Sequence, residues 1–109
     1  MTEESAPAGW LVYEDGDGFH AIPLRMPGFV IGRDPTQCDV AVRDFGISRR
    51  HARIDVGPDG RMTLSDLKSK GGSFVNERAV TAAPIVPGDR LRLGMVRFTV
   101  SDTPPMGAR

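Results

Sequence analysis

One cysteine, Cys38, in 109 residues leaves no partner for an internal disulfide and too few thiolates for a multi-cysteine metal site. Lysine is almost as scarce, with 2 against 12 arginines. No excess of either charge exists: Lys+Arg and Asp+Glu each total 14, and the formal net charge is zero. A broad nucleic-acid binder carries a basic surplus to neutralise phosphates, so that class is set aside. No apolar run approaches the ~18 residues of a membrane span. The start, Met1-Thr2-Glu3-Glu4-Ser5, is acidic and lacks the basic start and apolar stretch of a secretory signal. Also missing is any stretch of ten or more residues with a 3.6-residue period, which removes the amphipathic helix as a building block. These absences lead to the expectation of one soluble cytoplasmic domain without metal or cofactor and without a membrane or nucleic-acid partner; they leave the oligomeric state open, with a monomer favoured.

What the chain does have is punctuation. Gly 13 and Pro 9 break it at short intervals. Between them lie short apolar or alternating runs, beginning with Trp10-Leu11-Val12-Tyr13 and Phe19-His20-Ala21-Ile22 on either side of Asp15-Gly16-Asp17-Gly18, a hairpin signal. Ala52, Ile54 and Val56 alternate with His51, Arg53 and Asp55, and Met62-Thr63-Leu64-Ser65 follows across a Gly-Pro-Asp-Gly turn. Phe29-Val30-Ile31, Val40-Ala41-Val42, Ser73-Phe74-Val75, Ala79-Val80-Thr81, Arg90 to Leu93 and Val96 to Val100 complete the set. Many short strands with frequent turns predict an all-β antiparallel sandwich of about ten to eleven strands. Residues 9–101 are expected to form that domain, with 1–8 and 102–109 as flexible tails.

Three polar, glycine-bearing segments stand between strands, where a sandwich gathers its loops at one end. They are Gly32-Arg33-Asp34-Pro35, then Ile47-Ser48-Arg49-Arg50-His51, then Asp66 to Asn76 with Lys70-Gly71-Gly72-Ser73 at its centre. Together they supply guanidinium groups, a hydroxyl, ammonium groups and the backbone N–H donors of a double glycine. That inventory suits a tetrahedral dianion. Nucleophilic catalysis by Ser48 and His51 finds no orienting acid. Gly71-Gly72 lacks the strand-to-helix setting of a nucleotide loop. Asp66 and Asp89 are read as turn stabilisers, and Arg90, Arg92 and Arg97 as a solvated sheet face.

In this order and spacing, Gly32-Arg33, Ser48-Arg49-Arg50-His51, Asp66 to Asn76, Gly88-Asp89 and Leu93-Gly94 resemble the forkhead-associated (FHA) domain family over roughly residues 9 to 101. The resemblance implies a non-enzymatic β-sandwich whose loops bind phosphothreonine in a partner protein, as a signalling adaptor. It implies that Arg33 grips the phosphate, that Ser48 donates a hydrogen bond to it, and that Arg49 touches phosphate or peptide main chain. His51 would hold the loops together, and Gly32, Gly72 and Asn76 would shape them. One position departs from the pattern: Gly71 stands where the family commonly has an asparagine that clamps the peptide main chain, while Lys70 offers a cation to the phosphate. The departure leaves an alternative open, a scaffold or self-associating domain of the same fold that does not depend on phosphate.

Overall fold

The computed structural model describes residues 6–105, and all regular structure within them is β-strand. No helix among the described residues is long and apolar enough to cross a membrane. Eleven strands run in the order β1 (Trp10–Asp15), β2 (Gly18–Pro23), β3 (Gly28–Gly32), β4 (Val40–Ala41), β5 (Ala52–Val56), β6 (Met62–Asp66), β7 (Ser73–Val75), β8 (Arg78–Val80), β9 (Ala82–Ile85), β10 (Arg90–Leu93) and β11 (Val96–Ser101). They form a six-stranded sheet, β2-β1-β11-β10-β7-β8, and a five-stranded sheet, β4-β3-β5-β6-β9. Every pair is antiparallel except β3 with β4. The all-β sandwich read from the sequence is the fold observed.

Period-two alternation decides which side chains meet between the sheets. Leu11, Tyr13, Leu91, Leu93, Phe98 and Val100 turn inward from the first sheet, and Ile31, Ile54, Val56, Met62, Leu64 and Ile85 from the second. Burying a side chain of this kind contributes roughly 1.5–3 kcal/mol, so this layer is the main source of stability. His20, on the edge strand β2, is half-buried: it stacks on Tyr13 at 4.8 Å and bonds Asp15 at 2.8 Å.

Two boundaries differ from the sequence reading. Strand β8 begins at Arg78 and ends before Thr81. Strand β9 falls on Ala82-Ala83-Pro84-Ile85, which has no alternating pattern to announce it. It lies at the edge of its sheet beside β6, opposite Thr63 at Pro84, and an edge is where a strand tolerates proline. Ala8, just outside the expected domain, donates its N–H to the Leu24 carbonyl and packs against the core.

Candidate functional site

The β3–β4, β4–β5 and β6–β7 loops and the β10–β11 turn come together at one end of the sandwich around a cleft of about 620 Å³. Arg33, Ser48, Arg49 and Lys70, expected to contact a ligand, all line it, and so does Gly71 at the peptide-clamp position. Backbone bonds hold the loops in place: the Arg33 N–H donates to the Ser48 carbonyl at 2.9 Å, and the Asp34 N–H to the Arg49 carbonyl at 3.2 Å. The crossing is close enough to require glycine at position 32. A Cβ there would stand 2.0 Å from the Arg49 carbonyl oxygen and 2.5 Å from Cys38 Sγ. The Cys38 thiol donates to that same carbonyl at 2.8 Å, and burial pushes its pKa up.

His51 is fully buried and staples two loops. Its Nδ1 accepts the Ser48 N–H at 3.1 Å, and its Nε2 faces the Gly72 carbonyl at 2.8 Å. The network therefore assigns the proton to Nε2. With both ring nitrogens engaged by backbone, the imidazole is not offered to the Ser48 hydroxyl as a base. Ser48 Oγ instead accepts the Lys70 N–H at 3.0 Å, which leaves its own O–H free to donate outward.

Asp66 organises the third loop from its base. It accepts the Ser69 hydroxyl at 2.5 Å, the Ser73 hydroxyl at 2.6 Å and the Ser69 N–H at 3.0 Å. Burial alone would raise this carboxyl, but the two serine hydroxyls and the Ser69 N–H outweigh it and hold the group below its usual range. Ser69 Oγ in turn accepts the Gly72 N–H at 2.9 Å. Gly72 is thus shaped by Ser69, His51 and the Gly94 N–H that also reaches its carbonyl. Asn76 lies elsewhere, in the β7–β8 turn, where its side chain bonds Asp89 at 3.0 Å and receives the Arg90 N–H at 3.0 Å.

The electrostatics of the cleft are one-sided. Its lining carries four cationic side chains, Arg33, Arg49, Lys70 and Arg92, and no carboxylate. Elsewhere arginines pair with acids, as in Arg53–Asp55 at 2.9 Å and Arg97–Glu77 at 3.1 Å, whereas Arg33, Arg49 and Lys70 form no ion pair among the described residues. Arg33 spends its Nε–H on the Ile47 carbonyl at 3.0 Å, which orients the guanidinium and leaves its terminal nitrogens for a ligand.

Arg92 is a correction to the sequence reading. Alternation places it with Arg90 on a solvated face, but it is only half-exposed. Its guanidinium lies 3.8 Å from the centre of the Phe74 ring, and it donates to the Gly94 carbonyl at 2.8 Å. Phe74 sits directly opposite on β7, so the signal was the strand pairing rather than the sequence period.

Gly71 has a packing reason of its own. A Cβ there would stand 2.9 Å from Gly94 Cα and 3.3 Å from the Gly46 carbonyl oxygen. Gly94 opens a two-residue turn with φ of +59°, and a Cβ on it would meet the Gly46 oxygen at 2.4 Å. Three glycine backbones therefore fill the place where an asparagine would project. Gly71→Asn is expected to cost about 1–3 kcal/mol of stability through overpacking and to leave phosphopeptide affinity no tighter. Thermal unfolding and a binding titration check this; a variant as stable as the parent with tighter binding would show the position to be open.

Residues 29–94 match the FHA domain family. The glycogen accumulation regulator GarA of Mycolicibacterium smegmatis is 32% identical over 75 residues, covering 69% of this chain and 46% of that protein. An FHA structure solved in work on phosphothreonine-dependent FHA domain interactions superposes with a TM-score of 0.77 at 32% identity, covering 89% of this chain and 98% of the other. The FHA domain of FhaA, solved in complex with the intracellular domain of Rv3910, gives 0.75 at 33% identity, with 84% and 98% covered. The chain spans less than half the length of the curated relatives it matches, 20% of one and 46% of another. Its sandwich, its ordered loop motifs and these likenesses make the chain a member of the FHA domain family, whose domains are interaction modules.

Proposed function

We propose that this protein recognises phosphothreonine in a partner protein, binding the phosphorylated segment only when it is phosphorylated and performing no chemistry on it. The observation that carries the reading is the cleft lined by Arg33, Arg49 and Lys70, three cations that pair with no acid among the described residues, set around the outward-free hydroxyl of Ser48. A phosphate dianion needs charge-assisted donors in a tetrahedral arrangement, and each such bond contributes about 1.5–3 kcal/mol. Arg33, Ser48 and one further cation from Arg49 or Lys70 then supply roughly 5–9 kcal/mol against the cost of association, the range of a modest binder, since a micromolar Kd corresponds to about −8 kcal/mol. Residues 9–101 are proposed as the working unit, in the cytoplasm, where a kinase would write the mark that this domain reads.

The rival, a scaffold indifferent to phosphate, rests on the missing asparagine. The contacts of Gly71 with Gly94 and Gly46 supply a packing reason for that glycine instead. Titrating a phosphothreonine peptide library and its unphosphorylated twin by fluorescence anisotropy separates the two. Binding confined to phosphorylated members is expected, and equal or absent binding for both sets would overturn the proposal.

A further inference from the structure

A strand at the edge of a sheet offers a row of unpaired N–H and C=O groups, and folded proteins shield such edges with shortness, charge or proline. Three of the four edges here are shielded in that way. Strand β4 has two residues, β8 has three and begins on the cation Arg78, and β9 carries Pro84 within it. The fourth edge is not shielded. Strand β2 is six residues long, Gly18-Phe19-His20-Ala21-Ile22-Pro23, with no Asp, Glu, Lys or Arg and with its proline at the last position. None of the six is buried, and Phe19 is 54% exposed.

The ladder leaves one side of β2 open. The Leu24 N–H donates to the Gly9 carbonyl at 2.8 Å, so alternation turns the backbone groups of Ile22 and His20 toward β1. Those of Phe19 and Ala21 then face away from the sheet, each with a donor and an acceptor. The side chains of Phe19, Ala21 and Pro23 share the outer face with Trp10 and Val12 of β1, whose neighbours Leu11 and Tyr13 turn inward. The hairpin is held in shape before any partner arrives. The Asp15 carboxylate accepts the Asp17 N–H at 2.8 Å and the Arg43 N–H at 2.7 Å, and it bonds His20 Nε2 at 2.8 Å.

We propose that β2 is a self-association edge, where a second copy of this chain adds its own β2 antiparallel and joins the two sheets across a two-fold axis. Centred on His20, that pairing sets Phe19 opposite Ala21 of the second copy, and Ala21 opposite its Phe19. In each pair the two residues exchange both N–H···O bonds, and a large ring meets a small side chain. Charge favours a second copy in this orientation. The first charged residue before the strand is Asp17 and the first after it is Arg25, so antiparallel pairing brings the acidic end of each copy to the basic end of the other. The arginines of the outer face do not oppose it. Arg97 lies on β11, behind β1 and β2, and two strand spacings in each copy plus one between them put its counterpart roughly 24 Å away, beyond the Debye length of about 8 Å. The cleft of Arg33 and Ser48 takes no residue from β2 and stays open in both copies. The dimer therefore presents that cleft twice, and the inference stands independently of the phosphothreonine reading.

The test is sedimentation equilibrium on the full chain from about 10 µM to about 1 mM, the range in which a small reversible interface fills. A monomer–dimer equilibrium is expected. Phe19→Lys puts like charges into the paired edges, and Ala21→Pro removes an outward N–H that β1 does not use. Each should raise the dimer dissociation constant at least about tenfold. Phe19→Lys alters an exposed side chain and should melt with the parent, which separates lost association from lost folding. Amide exchange locates the contact: the Phe19 and Ala21 N–H groups should exchange more slowly at the top of the concentration range than at the bottom, while the Lys70 N–H at the cleft keeps one rate. A chain that stays monomeric throughout overturns the proposal and leaves the edge to an extended strand of another protein. A dimer that survives both substitutions, or edge amides whose exchange ignores concentration, moves self-association to another face and overturns it equally.

Discussion

Arg33→Ala is expected to weaken phosphopeptide binding by at least about 100-fold, a loss of about 3 kcal/mol, and to leave the domain folded. The argument is one of geometry and charge. The Arg33 Nε–H is fixed on the Ile47 carbonyl at 3.0 Å, so the guanidinium is already oriented before ligand arrives and little rotamer freedom is lost on binding. Its terminal nitrogens can then meet two phosphate oxygens at once. The side chain is exposed and joins no ion pair among the described residues, so its removal costs the fold only the bond to Ile47. Arg33→Lys separates charge from shape: it restores a cation without the planar fork, and should recover only part of the lost affinity. Anisotropy titration against one phosphothreonine peptide, with circular dichroism as the folding control, checks both variants. A folded Arg33→Ala protein that binds within about threefold of the parent would remove Arg33 from the phosphate site.

The parts of this molecule that depend on local rules were legible in the sequence, and those that depend on what faces what were not. The alternation of Ala52, Ile54 and Val56 is a local rule, and these residues are buried as it requires. So is the turn chemistry that joins β1 to β2 and β5 to β6. The loops bearing Arg33, Ser48 and Lys70 were found because their order and spacing resemble a family pattern, and the fold brings them to one cleft. Arg92 shows the limit. Its place in the strand period is that of a solvated residue, and only the opposing Phe74 reveals that its charge is held at the cleft wall. Gly71 reads in sequence as a missing side chain, whereas in space it is the contact that admits Gly94. Strand β9 escaped for a simpler reason: its proline speaks against a strand everywhere except at an edge.

His51→Ala should produce a large loss of stability, about 2–4 kcal/mol, even though no ligand contact is assigned to His51. The imidazole is fully buried, so its removal leaves a cavity that the surrounding loops fill only in part. It also strips the Ser48 N–H of its acceptor, while the Gly72 carbonyl keeps the Gly94 N–H at 2.9 Å. The two losses are therefore unequal, and a second variant exploits this. Asparagine at position 51 carries an oxygen near the place of Nδ1 and can accept the Ser48 N–H, but it is too short to reach Gly72. His51→Asn should accordingly fall between the parent and His51→Ala. For a domain of this size the alanine variant should melt roughly 10–20 °C below the parent. Function should suffer beyond stability. His51 sets the register between the loop that carries Ser48 and the loop that carries Lys70, and Ser48 Oγ meets the Lys70 N–H at 3.0 Å only while that register holds. At temperatures where both proteins are folded, His51→Ala should still bind phosphopeptide more weakly, with Arg33 and Ser48 chemically intact. An alanine variant that melts with the parent would show that the staple contributes nothing. One that melts lower but binds with parental affinity would confine His51 to the core and leave the loops to set their own register.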